Sequence, residues 1–407
     1  MQRLRYFFLL GIVLWLGLMV VRFSFSANAP DDKFVRVAIL KNVDHVTITI
    51  RGKYQIIDPI SKEVLFEKRR LPLTEIVATI SGIKVGAQEY LQKKIRFYSD
   101  KDITVRVNGK DRRYREIIDI IQEKNKKFLV VNVLPLEEYI RGILYHEAPH
   151  RCPLETLNAQ AVAARTYALY RMKMDRNQPY DVTSDIYSQV YGGRSSERYR
   201  ANIAVAHTKS EVLIYNNEIL PAYFSATCGG HTEDVSELWK QDLPPLKGVP
   251  CDFCKISPHY RWKRNFRSQD VQEKLNQNGY HLGLIKDIKV LEKNVSGRVR
   301  TLEITTHDGE SVKIAGKDFR RILGPNLLKS NRYDVVMQGY YFDILGQGWG
   351  HGVGMCQWGA LGMAQQRYKY KEILQYYYPG TQIVDYHTVS STASTLPKNS
   401  GSLSNSN

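Results

Sequence analysis

From Phe34 to Val133, apolar and polar residues alternate with a period of two. Val35-Arg36-Val37-Ala38-Ile39, Val46-Thr47-Ile48-Thr49-Ile50 and Ile103-Thr104-Val105-Arg106-Val107 each place apolar side chains on one face of an extended chain. Asn108-Gly109 follows the third run with two residues that tolerate positive φ, which predicts a tight hairpin. Residues 114–121 and 127–133 flank Glu123-Lys124-Asn125 as a second hairpin.

The period then changes. After Pro135, residues 136–147 carry Ile140, Ile143 and Leu144 on one face until Pro149 stops them. Pro153 opens a second helix, where Leu154, Leu157, Ala161, Ala164 and Ala168 recur at three and four. That alanine-rich stripe predicts close packing, with Arg165 and Tyr167 on the opposite face and Asn158 beside Arg165. Residues 211–224 read as strand, 268–279 as helix, and Asp308-Gly309 as another hairpin turn. A glycine-rich run from Gly346 to Gly359 leads into a final helix. The order predicts an α+β fold: a β-rich part over 34–130, then a mixed core over 131–384 that includes a structural-metal loop. Residues 388–407 are rich in Ser, Thr and Asn and read as a disordered tail.

With 407 residues, 43% of them apolar and 24% charged, the chain is neither a coiled coil nor disordered throughout. A net charge of +17 calls for an anionic partner: nucleic acid, acidic lipid or an acidic wall polymer. The N-terminus narrows that choice. Arg3 and Arg5 precede an apolar run from Tyr6 to Val21, followed by small residues up to Ala29, so residues 1–29 read as a signal peptide or an uncleaved membrane anchor. The chain is expected to be exported to the periplasm or cell wall, or anchored with its bulk outside the cytoplasm. Nucleic acid is then excluded as a partner, and membrane contact is confined to the N-terminal segment.

Cys228-Gly229-Gly230-His231 and Cys251-Asp252-Phe253-Cys254 form two paired knuckles. Three thiolates and an imidazole suit tetrahedral zinc, with no position left for catalysis. A Cys251–Cys254 disulfide is the alternative. Glu147 ends its helix, where the negative end of the dipole raises a carboxyl pKa, as a general acid working near neutrality requires. On spacing alone a solvated helix-end residue is the favoured reading of Glu147, and Glu137, Glu138 and Glu155 compete for the acid's role. The run Gly346–Gly359 lacks a phosphate loop's lysine and context, and its Trp faces suit sugar rings. Ser188, Ser225 and Ser257 have no nucleophile-elbow setting.

Together these segments resemble the SpoIID/LytB family. The resemblance rests on Leu134 to Pro149 around Glu147, Leu157-Asn158-Ala159-Gln160-Ala161-Val162-Ala163-Ala164-Arg165-Thr166-Tyr167, Gln189-Val190-Tyr191-Gly192-Gly193, Tyr223 to Glu233, and Gly350-His351-Gly352-Val353-Gly354-Met355 with Gln357-Trp358-Gly359. It covers about 34–384. It implies action on peptidoglycan glycan strands, either as a lytic transglycosylase of sporulation type or as an amidase enhancer acting with an N-acetylmuramoyl-L-alanine amidase. It puts the catalytic glutamate on Glu147, with Arg165, Tyr167, Gln189, Tyr191, His351, Gln357 and Trp358 lining the groove. Metal-binding cysteines that some sporulation members carry near the Gln-Val-Tyr motif have no counterpart in Thr183–Ser188. A hydrolase would need a second carboxylate, such as Asp185 or Glu233, near Glu147.

Overall fold

The computed structural model describes residues 33–148, 152–185 and 188–389. The expected signal peptide or anchor over 1–29, and the expected tail from residue 390 onward, lie outside them. The fold is α+β, and the alternating runs at the start of the chain become strands of two sheets. One sheet orders Val182–Thr183, Phe34–Val43, Phe128–Pro135, Ile117–Gln122, Lys94–Ser99, Tyr54–Ile57 and Val64–Lys68. The other orders Lys110–Tyr114, Ile103–Val107, His45–Ile50, Leu71–Ala78, Ile83–Val85 and Gln88–Tyr90. Asn108 and Gly109 take positive φ at the expected hairpin. Successive side chains in a strand point to opposite faces. Val37, Ile48, Phe97, Ile118 and Val130 thus enter one core shared by both sheets, while Leu129, Val131 and Val133 fill a smaller cluster on the far side.

Among the described residues seven α-helices follow in chain order: α1 (Leu136–Glu147), α2 (Leu154–Met174), α3 (Tyr199–His207), α4 (Ser268–Asn276), α5 (Gly316–Leu323), α6 (Gln357–Gln365) and α7 (Tyr370–Tyr377). Strand Phe128–Pro135 crosses residue 131 within the large sheet and runs straight into α1. Tyr139, Ile140 and Leu144 of α1 join the same core as the sheets. The β-rich and helical parts therefore share one sheet and one core.

α2 departs most from the reading of an amphipathic helix. Every residue from Thr156 to Leu169 is buried. α1, α3, α6, α7 and the strand Glu211–Tyr215 surround the helix, so it has no solvent face to present. A helix enclosed on all sides carries apolar or small residues all round, and three-four spacing within it no longer marks a unique buried stripe. Ala159, Val162 and Ala163 face a second core, shared with α6 and α7.

A third core lies between Trp262 and Ile344. Strands Arg261–Arg267, Tyr341–Gln347 and Tyr333–Gln338 form one sheet and Ile285–Lys293, Val299–Thr306 and Ser311–Ala315 another, with α4 and α5 packed on them. Its entry and exit strands pair antiparallel from Arg261↔Gln347 to Arg267↔Tyr341, so the unit leaves and rejoins the chain at one place. Among the described residues no helix is long and apolar enough to cross a membrane.

Candidate functional site

Glu147 is the last residue of α1, half-buried, and both of its oxygens are met by neutral donors. The Val190 amide donates to Oε1 at 2.7 Å and the Gln357 side-chain amide to Oε2 at 3.3 Å. Burial pushes the carboxyl up to about 7, against the smaller lowering pull of those two hydrogen bonds. The rival carboxylates are otherwise engaged. Glu137 pairs with Arg165, Glu138 with Arg115 and Arg141, and Glu155 accepts from the Tyr370 amide. Glu233 is 2% exposed and held by Asn294 and Ser296, and Asp185 accepts from the Thr183 hydroxyl.

Three residues expected in the groove are structural. Arg165 is 0% exposed; its Nε and Nη2 donate to the two Glu137 oxygens at 2.7 and 2.8 Å, and Nη1 reaches the Glu211 carbonyl at 3.0 Å. It anchors α2 to α1 because enclosure of the helix leaves it no route to solvent. Breaking such a buried pair costs about 3–5 kcal/mol. Arg165→Met is accordingly expected to lower unfolding free energy by that amount in denaturant titration. Unchanged stability with weakened glycan binding would return Arg165 to the groove.

Gln189 and Tyr191 are likewise buried inside the fold. Gln189 is fully buried, accepting from the Tyr139 hydroxyl at 2.9 Å and donating to the Ala164 carbonyl at 3.2 Å. Tyr191 donates to Asn132 Oδ1 at 2.6 Å, and its ring lies so close to Gly142 that a Cβ there would sit 2.4 Å from it. Two anchored side chains thus fix the backbone between them, and that backbone supplies the Val190 N–H to Glu147. The motif acts through an amide that side-chain reasoning does not see.

The remaining candidates connect to Gln357 through strand pairing and ring contacts. Gln357 opens α6, and the preceding Met355–Cys356 pairs in parallel with Phe224–Ser225. Trp358 is half-buried, its amide bonded to the Ala226 carbonyl at 3.0 Å. Tyr167 packs on Tyr223 and Phe224, with ring centroids 5.8 and 6.4 Å away. Tyr223 stacks on Trp239 at 4.5 Å, and His351 meets Trp239 edge-on at 5.4 Å. His351 accepts from the Val353 amide, and burial with Arg320 and Arg298 nearby depresses its pKa to about 4, so it is neutral at pH 7. Trp239 escaped the sequence reading because a single Trp in a loop carries no periodic signal.

The two knuckles bring three of the four expected side chains together. Cys228, Cys251 and Cys254 converge, and the fourth side chain that could join them in holding a metal is Cys356, through its Sγ, rather than an imidazole. His231 instead places Nδ1 2.6 Å from the Thr232 carbonyl oxygen. The four sulfurs lie within 4.8 Å of one another, all buried, and Cys228 and Cys254 are 3.6 Å apart. Tetrahedral Zn–S bonds of about 2.3 Å require sulfurs about 3.8 Å apart, so the set fits zinc. Cys356 Sγ accepts from the Cys228 and Gly359 amides at 3.2 and 3.3 Å, outer contacts of the kind that hold a ligating thiolate. All five cysteines are free, and Cys152 lies outside the cluster, its thiol pushed up to about 11 by burial.

Residues 124–215 match a family described as Stage II sporulation protein, and 252–354 match a domain of unknown function. An uncharacterised protein of Brachyspira hyodysenteriae is 33% identical over 88% of this chain and 95% of its own length. Stage II sporulation protein D of Bacillus subtilis is 31% identical over 62% of this chain and 75% of its own. The amidase enhancer of Bacillus subtilis is 28% identical over 61% of this chain, which spans 40% of that relative.

Proposed function

Because the chain belongs to the SpoIID/LytB family, we propose that it is an exported peptidoglycan-remodelling lytic transglycosylase with Glu147 as its general acid and base. The observation that carries this reading is the Glu147 carboxyl: half-buried, met by neutral donors and pushed up to about 7 by its burial. Protonated Glu147 gives its proton to the glycosidic oxygen as the bond from C1 of N-acetylmuramic acid breaks. The resulting carboxylate takes the proton of that sugar's C6 hydroxyl as its oxygen bonds to C1, leaving a 1,6-anhydro end and the acid restored. The nucleophile belongs to the substrate, so no second carboxylate is needed to activate water. Gln357 and the Val190 amide orient the carboxyl, while Tyr167, Trp239, His351 and Trp358 supply flat surfaces and a neutral imidazole to the saccharide. Cys228, Cys251, Cys254 and Cys356 would hold a structural zinc, since four protein ligands leave no position for substrate.

The alternative is a non-catalytic enhancer of a separate amidase, favoured by the likeness to the amidase enhancer. Mass spectrometry of intact and amidase-stripped strands after incubation separates the two. Anhydromuramoyl ends are expected; reducing ends would mean a hydrolase, and no products despite strand binding would mean an enhancer. Since the acid must start protonated, kcat/KM is expected to be level with respect to Glu147 below about pH 7 and to fall tenfold per pH unit above it.

A further inference from the structure

The unit between Cys254 and Cys356 reaches back to the cysteine cluster through a buried arginine. Arg298 lies at the turn between strands Ile285–Lys293 and Val299–Thr306 and is 2% exposed. Its Nη2 donates to the Cys228 carbonyl at 2.8 Å and its Nη1 to the His231 carbonyl at 3.0 Å, spanning the first knuckle end to end. The same guanidinium lies against Gly352, where an added Cβ would stand 2.1 Å from Nη2. Glu233, 3.7 Å from Nε, is its counter-charge, and Asn294 and Ser296 of the same turn hold that carboxylate. Arg332, from the same unit, packs against Gly230 and Gly297.

We propose that the inserted unit is a positioning device for the knuckle Cys228–His231 and the glycine loop, acting through the Arg298 guanidinium, rather than an independent binding module. Four thiolates on Zn²⁺ carry two net negative charges, and a buried guanidinium beside them offsets that charge while its two hydrogen bonds fix the ligand loop. The effect reaches the site along the chain: Glu233 N–H bonds the Gly352 carbonyl, Cys356 is a member of the cluster, and the next residue, Gln357, donates to Glu147. The zinc part of the proposal rests on the four-cysteine reading above; the hold on the knuckle does not.

The test compares the exported chain with Arg298→Met, Arg298→Lys and, as an exposed control on the adjoining strand, Arg300→Met. Hydrogen exchange is followed at the amides of Cys251 and Glu233, which bond Gly230 and Gly352, and at Leu302 and Ile304 in the inserted core. Zinc release to a chelator is timed in parallel. Arg298→Met is expected to speed exchange at Cys251 and Glu233, and zinc release, by about 10- to 100-fold. The core amides should keep parental rates, Arg298→Lys should recover part of the effect, and Arg300→Met should match the parent. Parental exchange at Cys251 and Glu233 in Arg298→Met, or equal loosening of the inserted core, would overturn the proposal. If the parent carries no zinc, the zinc reading fails alone, and exchange still decides the role of Arg298.

Discussion

Glu147→Gln is expected to lower glycan cleavage by about 10³-fold or more and leave the chain folded. The amide keeps the shape of the side chain and can still accept from the Val190 amide, so the loop at Gln189–Tyr191 stays in place. It has no proton to give. The same variant carries a signature in stability that a merely surface glutamate would not show. Burial raises the folded carboxyl from 4.5 to about 7, so the ionised form is the one that folding disfavours. That penalty is absent below pH 4.5, grows between 4.5 and 7, and is complete above 7. Glu147→Gln should therefore match the parent in unfolding free energy at pH 4. At pH 8 it should exceed the parent by on the order of 1–2 kcal/mol, allowing for the partial exposure of the site. Parental cleavage by the variant would remove Glu147 from the chemistry. A stability difference that did not change with pH would remove the raised pKa.

The sequence disclosed much of the scaffold that positions this residue. Pro135 and Pro149 bracket α1, and Leu136–Glu147 is the helix observed. Asn108-Gly109 marks its hairpin because positive φ is a local demand that a residue type reveals directly. Enclosure is not local. The spacing of Leu157, Ala161, Ala164 and Ala168 fits a one-sided helix equally well, and only the elements packed on its other sides show that Arg165 is an internal tie. His231 and Cys356 illustrate the same limit. Ligands two residues apart are visible as a knuckle, whereas a ligand on the far side of a folded insertion is visible only when the chain has closed. The Val190 amide left no trace because a backbone donor has no residue type.

Cys356→Ser is expected to abolish metal binding, from about one zinc per chain to none by elemental analysis, and to destabilise the chain by on the order of 5 kcal/mol. The loss should be this large because the sulfur does two things: it completes the set with Cys228, Cys251 and Cys254, and it caps the first turn of α6 by accepting from Gly359. His231→Ala is the contrast. Its ring nitrogen faces a carbonyl next to the knuckle instead of the sulfurs, so zinc content should stay parental. Loss of zinc in His231→Ala with retention in Cys356→Ser would restore the mixed cysteine–histidine set. Zinc in neither the parent nor the variants would leave four buried thiols with only a packing role.

The two chain ends of the inserted unit lie side by side, one departing at Cys254 and the other arriving at Cys356, with the strands Arg261–Arg267 and Tyr341–Gln347 zipped just beyond. Such a neck makes the interval a natural graft point. Its length and sequence can diverge without lengthening the path between the two sulfurs, because loop size enters closure entropy only logarithmically. A transplanted module would need to meet two terms: ends that come together within a few ångströms, and one guanidinium able to reach the carbonyls of Cys228 and His231.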